Sequence, residues 1–157
     1  MQGQGVTHMT QTVTQLLHEA RAELPSRCSP RETFEEMTGG ALVIDIRGDE
    51  QQRCDGLIPG AVVIRRNVLE WRCDPRSRWR HAKIKSHSQR VILVCDQGYQ
   101  SSLAAANLQR LGLTRATDMS GGFSRWKKLG LPVAPYEGEP SVSLLDKLKN
   151  IARALFG

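Results

Sequence analysis

A cysteine lies between a buried strand pattern and a helix pattern in the middle of the chain. Apolar residues 91–94 lead into Cys95, a short loop containing Gly98 comes next, and an alanine-rich helical pattern starts near Ser101. Backbone N–H groups at a helix N-terminus stabilise negative charge, and the thiolate is the reactive form of cysteine. The spacing therefore predicts that Cys95 is placed to act as a nucleophile.

The alternative interpretation of Cys95 is structural, because cysteine is among the most buried residue types and often ends a core strand as a small hydrophobic side chain. The local pattern favours neither interpretation. Cys28, Cys54 and Cys73 are widely spaced and form no C-x-x-C pair, so neither a metal site nor a thioredoxin-type pair is expected. We expect these three to be incidental free thiols, and the spacing does not support a regulatory disulfide with Cys95.

The residues around Cys95 resemble a known active-site loop. Cys95-Asp96-Gln97-Gly98-Tyr99-Gln100-Ser101 is similar to the loop of rhodanese-like domains, which is usually Cys, two variable residues, Gly, one variable residue, Arg, Ser. Gln100 stands where that family usually has arginine. Besides the catalytic Cys95, the resemblance predicts the following substrate-binding residues in the loop: Asp96, Gln97, Gly98, Tyr99, Gln100 and Ser101.

Two further segments carry the same resemblance in the expected order. Leu-Val-Ile-Asp-Ile-Arg at 42–47 and Gly-Leu-Ile-Pro-Gly-Ala at 56–61 are similar to the family's Asp-Val-Arg strand end and its Gly-His-Ile-Pro-Gly-Ala turn, with Leu57 in place of the usual histidine. Ser-Gly-Gly-Phe-Ser-Arg-Trp at 120–126, followed by Gly-Leu-Pro-Val at 130–133, is similar to its closing pattern. The chain is therefore identified as a member of the rhodanese-like family over about residues 29–133.

The resemblance implies sulfur transfer in two steps and no cofactor. The Cys95 thiolate would attack the outer sulfur of a donor such as thiosulfate, hold it as a persulfide, and pass it to cyanide or another thiophilic acceptor. Loop N–H groups would stabilise the charged sulfur, and Gly98 would let the loop close around it. Ser101 would donate its hydroxyl to the persulfide or, as such serines more commonly do, cap the following helix.

The loop's charge leaves a second function open. Gln100 donates hydrogen bonds but carries no positive charge, and Asp96 adds a negative charge that disfavours a dianionic donor. These two residues favour a catalytically weak or inactive module that binds a partner or senses oxidants, whereas Cys95, Gly98 and Ser101 favour the enzyme. The same fold also hosts phosphatases, but Ser101 occupies the position where their loop needs arginine.

The whole net charge of +6 lies in one segment. Between residues 65 and 85 eight basic residues accompany two acidic ones, and the rest of the chain is neutral. Basic residues clustered in this way most often form only a solvent-exposed surface without a specific function. Only Trp71 and Trp79 are interleaved as stacking residues, so no nucleic acid is expected. The preferred functional interpretation is a funnel for an anionic substrate.

Three arginines are candidates to replace the missing loop charge. We hypothesise that Arg47, Arg66 and Arg72 bind the donor, because two of them belong to the basic segment and Arg47 follows a strand end. For Arg47 a structural ion pair with Asp45 is the favoured role.

The surrounding pattern alternates strands and helices. Apolar periodicity and caps predict helices over 12–24, 101–111 and 122–129, with a further one starting after Ser29 and ending at Gly39. Short β-branched runs predict strands near 41–46, 61–64, 90–95 and 115–119. This alternation predicts an α/β fold with a mainly parallel sheet and helices on both faces. Ligands then bind at the carboxyl ends of strands, where Cys95 falls.

The expected organisation is one rhodanese-like domain over 29–135 between two extensions. Residues 1–28 form an N-terminal extension with an amphipathic helix, and Met9 is a plausible true start. Residues 136–157 combine a linker with an amphipathic tail helix, which we expect to dock on its own domain or on a dimer mate rather than on a membrane surface.

No apolar run approaches the roughly 18 residues needed to span a bilayer and no secretory signal pattern is present, so a cytoplasmic location is expected. Expected partners are a small anionic sulfur donor and a thiophilic acceptor, either a small molecule or a protein thiol. A homodimer is left open.

Overall fold

A parallel four-stranded sheet forms the centre of the protein, whose computed structural model describes residues 10–137. The strands are β1 (Leu42–Asp45), β2 (Val62–Val63), β3 (Val91–Val94) and β4 (Ala116–Asp118), in the order β2-β1-β3-β4. The helices are α1 (Val13–Ala22), α2 (Pro30–Thr38), α3 (Asp49–Asp55), α4 (Leu69–Cys73), α5 (Gln100–Arg110) and α6 (Gly122–Lys128). The predicted α/β fold is confirmed.

Side-chain alternation along the central strands divides the core into two layers. Leu93 and Cys95 belong to the cluster that α5 covers, whereas Ile92 and Val94 belong to the cluster on the opposite face, which includes Trp126 of α6. Helices therefore cover both faces, as expected. The alternation also decides the direction of Cys95, because the residue after β3 continues the pattern on the α5 side.

The first two helices begin with capping boxes, and the one at α2 is the cap that the sequence predicts. Thr12 and Gln15 form a capping box at α1, and Ser29 and Glu32 form another at α2, where Pro30 takes the first helical position. Helix α5 begins differently, because its N-cap Tyr99 makes no side-chain capping hydrogen bond. The first turn of α5 therefore has no side-chain oxygen as its cap, and the Ser101 N–H donates instead to Cys95 Sγ.

Some elements were not predicted. Helix α3, helix α4 and a 3-10 turn at Arg66–Val68 lie in segments where the sequence shows no clear period. The predicted strand at 61–64 shortens to the two residues of β2. The predicted tail helix lies outside the described residues. Within residues 10–137 no helix has the length and apolar character needed to cross a membrane.

Candidate active site

The Cys95 sulfur is surrounded by donors from its own loop. Cys95 is 6% exposed, and its Sγ accepts hydrogen bonds from the backbone N–H of Gly98 at 3.1 Å and of Ser101 at 3.4 Å. Its S–H donates to Ser101 Oγ at 3.2 Å. Since the N–H donors remain in place when the proton leaves, the same loop is suited to hold a charged sulfur.

Two further N–H groups of the loop are unpaired among the described residues. Within the described part of the chain, the backbone N–H groups of Gln97 and Tyr99 have no hydrogen-bond acceptor. They lie between β3 and the N-terminus of α5, where the helix dipole favours negative charge. The loop therefore has unused donors for an anionic group bound next to Cys95.

Close packing of glycines fixes the shape of the loop. Gly98 has φ of +82°, and a Cβ at this position would lie 2.7 Å from the Gly121 nitrogen. Gly122 has φ of +61°, and its Cβ would lie 2.6 Å from the Cys95 carbonyl oxygen. Both positions therefore require glycine. The Gly-Gly pair of the closing motif is thus part of the wall of the cysteine loop.

A buried carboxylate organises the loop from below. Asp118, at the end of β4, is fully buried and accepts hydrogen bonds from Ser101 Oγ at 2.7 Å and Ser102 Oγ at 2.8 Å. Arg27 donates to both oxygens of this carboxylate at 2.7 and 3.0 Å. The sequence did not identify Asp118 as a site residue. Its place at the carboxyl end of the strand next to β3 was the signal that could have found it.

Two arginines before the matched motifs contact the loop backbone. Arg21 of α1 and Arg27 each donate to the Gly98 carbonyl oxygen at 2.9 Å. These residues lie 77 and 71 positions away from Gly98 in the chain. No local pattern could have indicated either contact, because both join residues more than 70 positions apart in the chain.

A cavity of about 250 Å³ opens beside the sulfur. Besides Cys95, five of the predicted site residues line it: Arg47, Asp96, Gln97, Tyr99 and Gln100. Gly48 and Gln51 also line it, although the sequence did not predict them. The volume holds roughly eight water molecules at liquid density, which leaves room for a small donor.

Arg47 forms the ion pair that the sequence favoured. Its Nη2 donates to Asp45 Oδ2 at 2.7 Å and to the Gly56 carbonyl at 2.7 Å, and both charged side chains are fully buried. The guanidinium carbon lies 3.6 Å from the centroid of the Phe123 ring. Arg47 therefore lines the cavity with a charge that Asp45 already compensates.

Arg66 and Arg72 do not line the cavity at Cys95. Arg66 donates to Glu70 at 2.8 Å, and Arg72 donates to the Trp79 carbonyl at 2.8 Å. Both side chains therefore have hydrogen-bond partners on the α4 side of the protein. Their contact with a sulfur donor stays a prediction, and this geometry does not support it.

The four cysteines are free thiols in different surroundings. Burial raises the pKa of Cys73 to about 12, and burial together with the hydrogen bond to the Glu36 carboxylate raises the pKa of Cys28 to about 12. Cys54 is exposed. Among residues 10–137 no three His, Cys, Asp or Glu side chains are grouped so that they could hold a metal ion.

Comparisons with known proteins agree with the fold. The model of the rhodanese-like domain matches residues 29–129. A sulfurtransferase from Allochromatium vinosum is 28% identical over 101 residues, which cover 64% of this chain and 85% of that protein.

Solved structures of other proteins have a similar fold. A Rhodopseudomonas palustris protein of unknown function, described as a possible tyrosine phosphatase, has a TM-score of 0.72 at 26% identity over 80% of this chain and 96% of that one. A rhodanese-related protein from Thermoplasma volcanium has a TM-score of 0.55 at 24% identity over 71% of this chain and 100% of that one. With its cysteine loop, its closing glycine pair and its parallel sheet in place, the chain belongs to the rhodanese-like domain family.

Proposed function

We propose that the protein is a sulfurtransferase that carries sulfane sulfur as a persulfide on Cys95. The observation that carries this proposal is the convergence of the Gly98 and Ser101 N–H groups on Cys95 Sγ at the edge of a cavity. The family match and the similarity to a sulfurtransferase support it.

The first step transfers one sulfur atom without a change in total electron count. The Cys95 thiolate attacks the outer sulfur of the donor, a bond forms between the two sulfurs, and the donor's own bond to that sulfur breaks. The bonding electron pair leaves on sulfite when thiosulfate is the donor, or on a thiolate when the donor is another persulfide. The free N–H groups of Gln97 and Tyr99 are available to bind the terminal sulfur.

The second step regenerates the enzyme. A thiophilic acceptor, either cyanide or a thiolate, attacks the outer sulfur of the Cys95 persulfide and takes it, and the electron pair returns to Cys95 Sγ. The cavity beside Cys95 is open at the loop side chains of Gln97, Tyr99 and Gln100, which are exposed. The same opening admits the donor and the acceptor in turn, as expected for two consecutive transfers at one cysteine.

Intact-protein mass spectrometry tests the proposal. After incubation with thiosulfate or with cysteine persulfide, the wild-type protein should gain the mass of one sulfur atom, cyanide should remove it, and Cys95→Ser should not gain it. Cys54→Ser, which removes an exposed thiol, is the matched control and should behave as wild type. Absence of the gain with every donor would reject the enzyme in favour of a binding or sensing module.

Phosphoryl transfer fits the loop poorly. The similarity to a possible tyrosine phosphatase raises this chemistry. However, the position that must supply arginine holds Ser101, whose hydroxyl is donated to Asp118. Arg47, which lines the cavity, is already paired with Asp45. Since neither Ser101 nor the paired Arg47 offers an uncompensated cation to the cavity, a transferring phosphoryl group would lose most of its charge stabilisation.

A further inference from the structure

We infer that Arg21, in the helix before the family-matched segment, supplies from behind the loop the positive charge that the loop lacks at Gln100. Arg21 belongs to α1, whereas the family match begins at residue 29. This assigns Arg21 as a positioning and electrostatic residue of the cysteine loop. Its role in sulfur transfer rests on the proposed function, but its charge can be measured independently of that function.

Within residues 10–137, the hydrogen bonds of the Arg21 guanidinium go to the loop and to the first turn of α5. Its Nη2 donates to the Gly98 carbonyl at 2.9 Å, and its Nε donates to Ser102 Oγ at 3.1 Å. Its Cζ lies 5.8 Å from the centroid of the Tyr99 ring. One cation therefore contacts three residues of the segment that follows Cys95.

Arg21 is also the cation at the loop whose charge is not compensated. Arg27 contacts the same carbonyl, but it also donates two hydrogen bonds to the Asp118 carboxylate, which compensates its charge. Arg47 is likewise paired with Asp45. Among residues 10–137 no carboxylate forms an ion pair with Arg21, so its positive charge acts on the loop.

The contact between Arg21 and the Gly98 carbonyl polarises one peptide group. The carbonyl of Gly98 and the N–H of Tyr99 belong to the same peptide group, so a guanidinium on the oxygen polarises the N–H and strengthens it as a donor. The Tyr99 N–H has no acceptor within the described residues and is available to an anionic sulfur. The contact is half-buried, which reduces screening by solvent and salt.

The position of Arg21 is fixed by packing between α1 and α5. Ala20 of α1 is buried, and Arg110 of α5 donates to Glu23, just after α1, at 2.7 Å. This second contact ties the same two helices together but does not reach the cysteine loop. Arg110 therefore provides a matched control for Arg21.

Alkylation of Cys95 by two reagents of different charge measures the proposed effect. Iodoacetate is an anion and iodoacetamide is neutral, so the ratio of their rates at Cys95 reports the local potential while the thiolate fraction cancels. In Arg21→Gln, which keeps an N–H donor but removes the charge, we expect the iodoacetate-to-iodoacetamide ratio to fall by about two- to tenfold. Arg21→Lys should restore most of it, and Arg110→Gln should leave it unchanged.

Either of two results would overturn the inference: an unchanged ratio in Arg21→Gln, or an equal fall in Arg110→Gln. Thermal melting of each variant shows whether it is folded, and the Arg21→Lys variant separates charge from a merely structural contact. The experiment needs no sulfur donor. If no donor loads Cys95, the proposed function fails while the alkylation ratio still decides the role of Arg21.

Discussion

At the scale of single residues, the four thiols differ in what surrounds each sulfur. Cys95 receives backbone donors and borders a cavity, whereas Cys73 is buried in the core and Cys28 is buried beside Glu36 and Arg90. Burial disfavours the thiolate and keeps the pKa of both buried thiols at about 12. The same residue type is thus inert at two positions and a candidate nucleophile at a third.

We expect iodoacetamide to modify Cys54 and Cys95 in the native protein near pH 8 and to leave Cys28 and Cys73 unmodified. A thiol must ionise to react, and the pKa of Cys28 and that of Cys73 are raised to about 12. Peptide mapping after timed labelling measures each site. Labelling of Cys73 at the rate of Cys54 would contradict the prediction, whereas labelling of all four in denaturant is the control.

The charge at position 100 should control the use of thiosulfate. Gln100 lines the cavity and carries no charge, so Gln100→Arg adds a cation where the dianion enters. We expect kcat/KM for thiosulfate to rise by about tenfold in Gln100→Arg and to fall in Gln100→Glu, which has the same size as the wild-type side chain. Steady-state kinetics over the three proteins measures the trend. Equal values in all three would show that this charge does not limit donor use.

At the scale of elements, the site depends on the cysteine loop and on the elements that pack around it. The turn after β3 carries Cys95, the start of α6 packs its glycines against that turn, and α1 contacts the loop from behind. Asp118 at the end of β4 completes the support by accepting the Ser101 hydroxyl. The loop's shape therefore belongs to the packing of the elements and not to its seven residues alone.

Gly98→Ala should destabilise the protein more than Gly130→Ala. Both glycines have positive φ, +82° and +71°, which costs an alanine roughly 1–3 kcal/mol. At Gly98 the new Cβ would also press on the Gly121 nitrogen at 2.7 Å, whereas at Gly130 nothing lies within 4 Å. We expect the clash to add about 1 kcal/mol or more to the loss in free energy of unfolding, measured by urea denaturation. Equal losses would mean that the loop relaxes around the added methyl group.

At the scale of the whole molecule, an ion pair joins the helix before β1 to the edge of the sheet. Glu36 of α2 accepts from Arg90 Nε at 2.6 Å, and Arg90 also donates to the Arg115 carbonyl just before β4. The hydrogen bond from Arg90 lowers the pKa of Glu36 below its ordinary value of 4.5. One guanidinium thus connects segments that lie far apart in the chain.

The Glu36–Arg90 pair should give the stability a specific pH dependence. A carboxylate with a lowered pKa stabilises the fold at any pH above its ordinary pKa. This contribution is lost as the pH falls from 4.5 through the lowered pKa. The free energy of unfolding of Glu36→Gln should therefore be lower than that of the wild type at neutral pH, by less than about 1 kcal/mol. This difference should shrink in acid. Glu35→Gln, on the same helix, is the control. A gap that stays constant with pH would contradict an electrostatic origin.

Local patterns were enough to predict much of the fold. The strand before Cys95 and the capping box of α2 depend on neighbours within a few residues, so the sequence determines them directly. Helix α3 was missed because its polar sequence has no apolar period, although Gln52 within it is fully buried.

The sequence by itself indicated Cys95 as the candidate nucleophile and predicted its glycine-containing loop and the parallel sheet that presents them, because each depends on short-range spacing or on a short motif. Only the tertiary structure decided which charges reach that loop. Arg66 and Arg72 have partners elsewhere, while Arg21 contacts Gly98 across 77 positions and Arg27 contacts Asp118 across 91. Charges at such separations come together only through helix docking and strand order, and no local pattern encodes that arrangement.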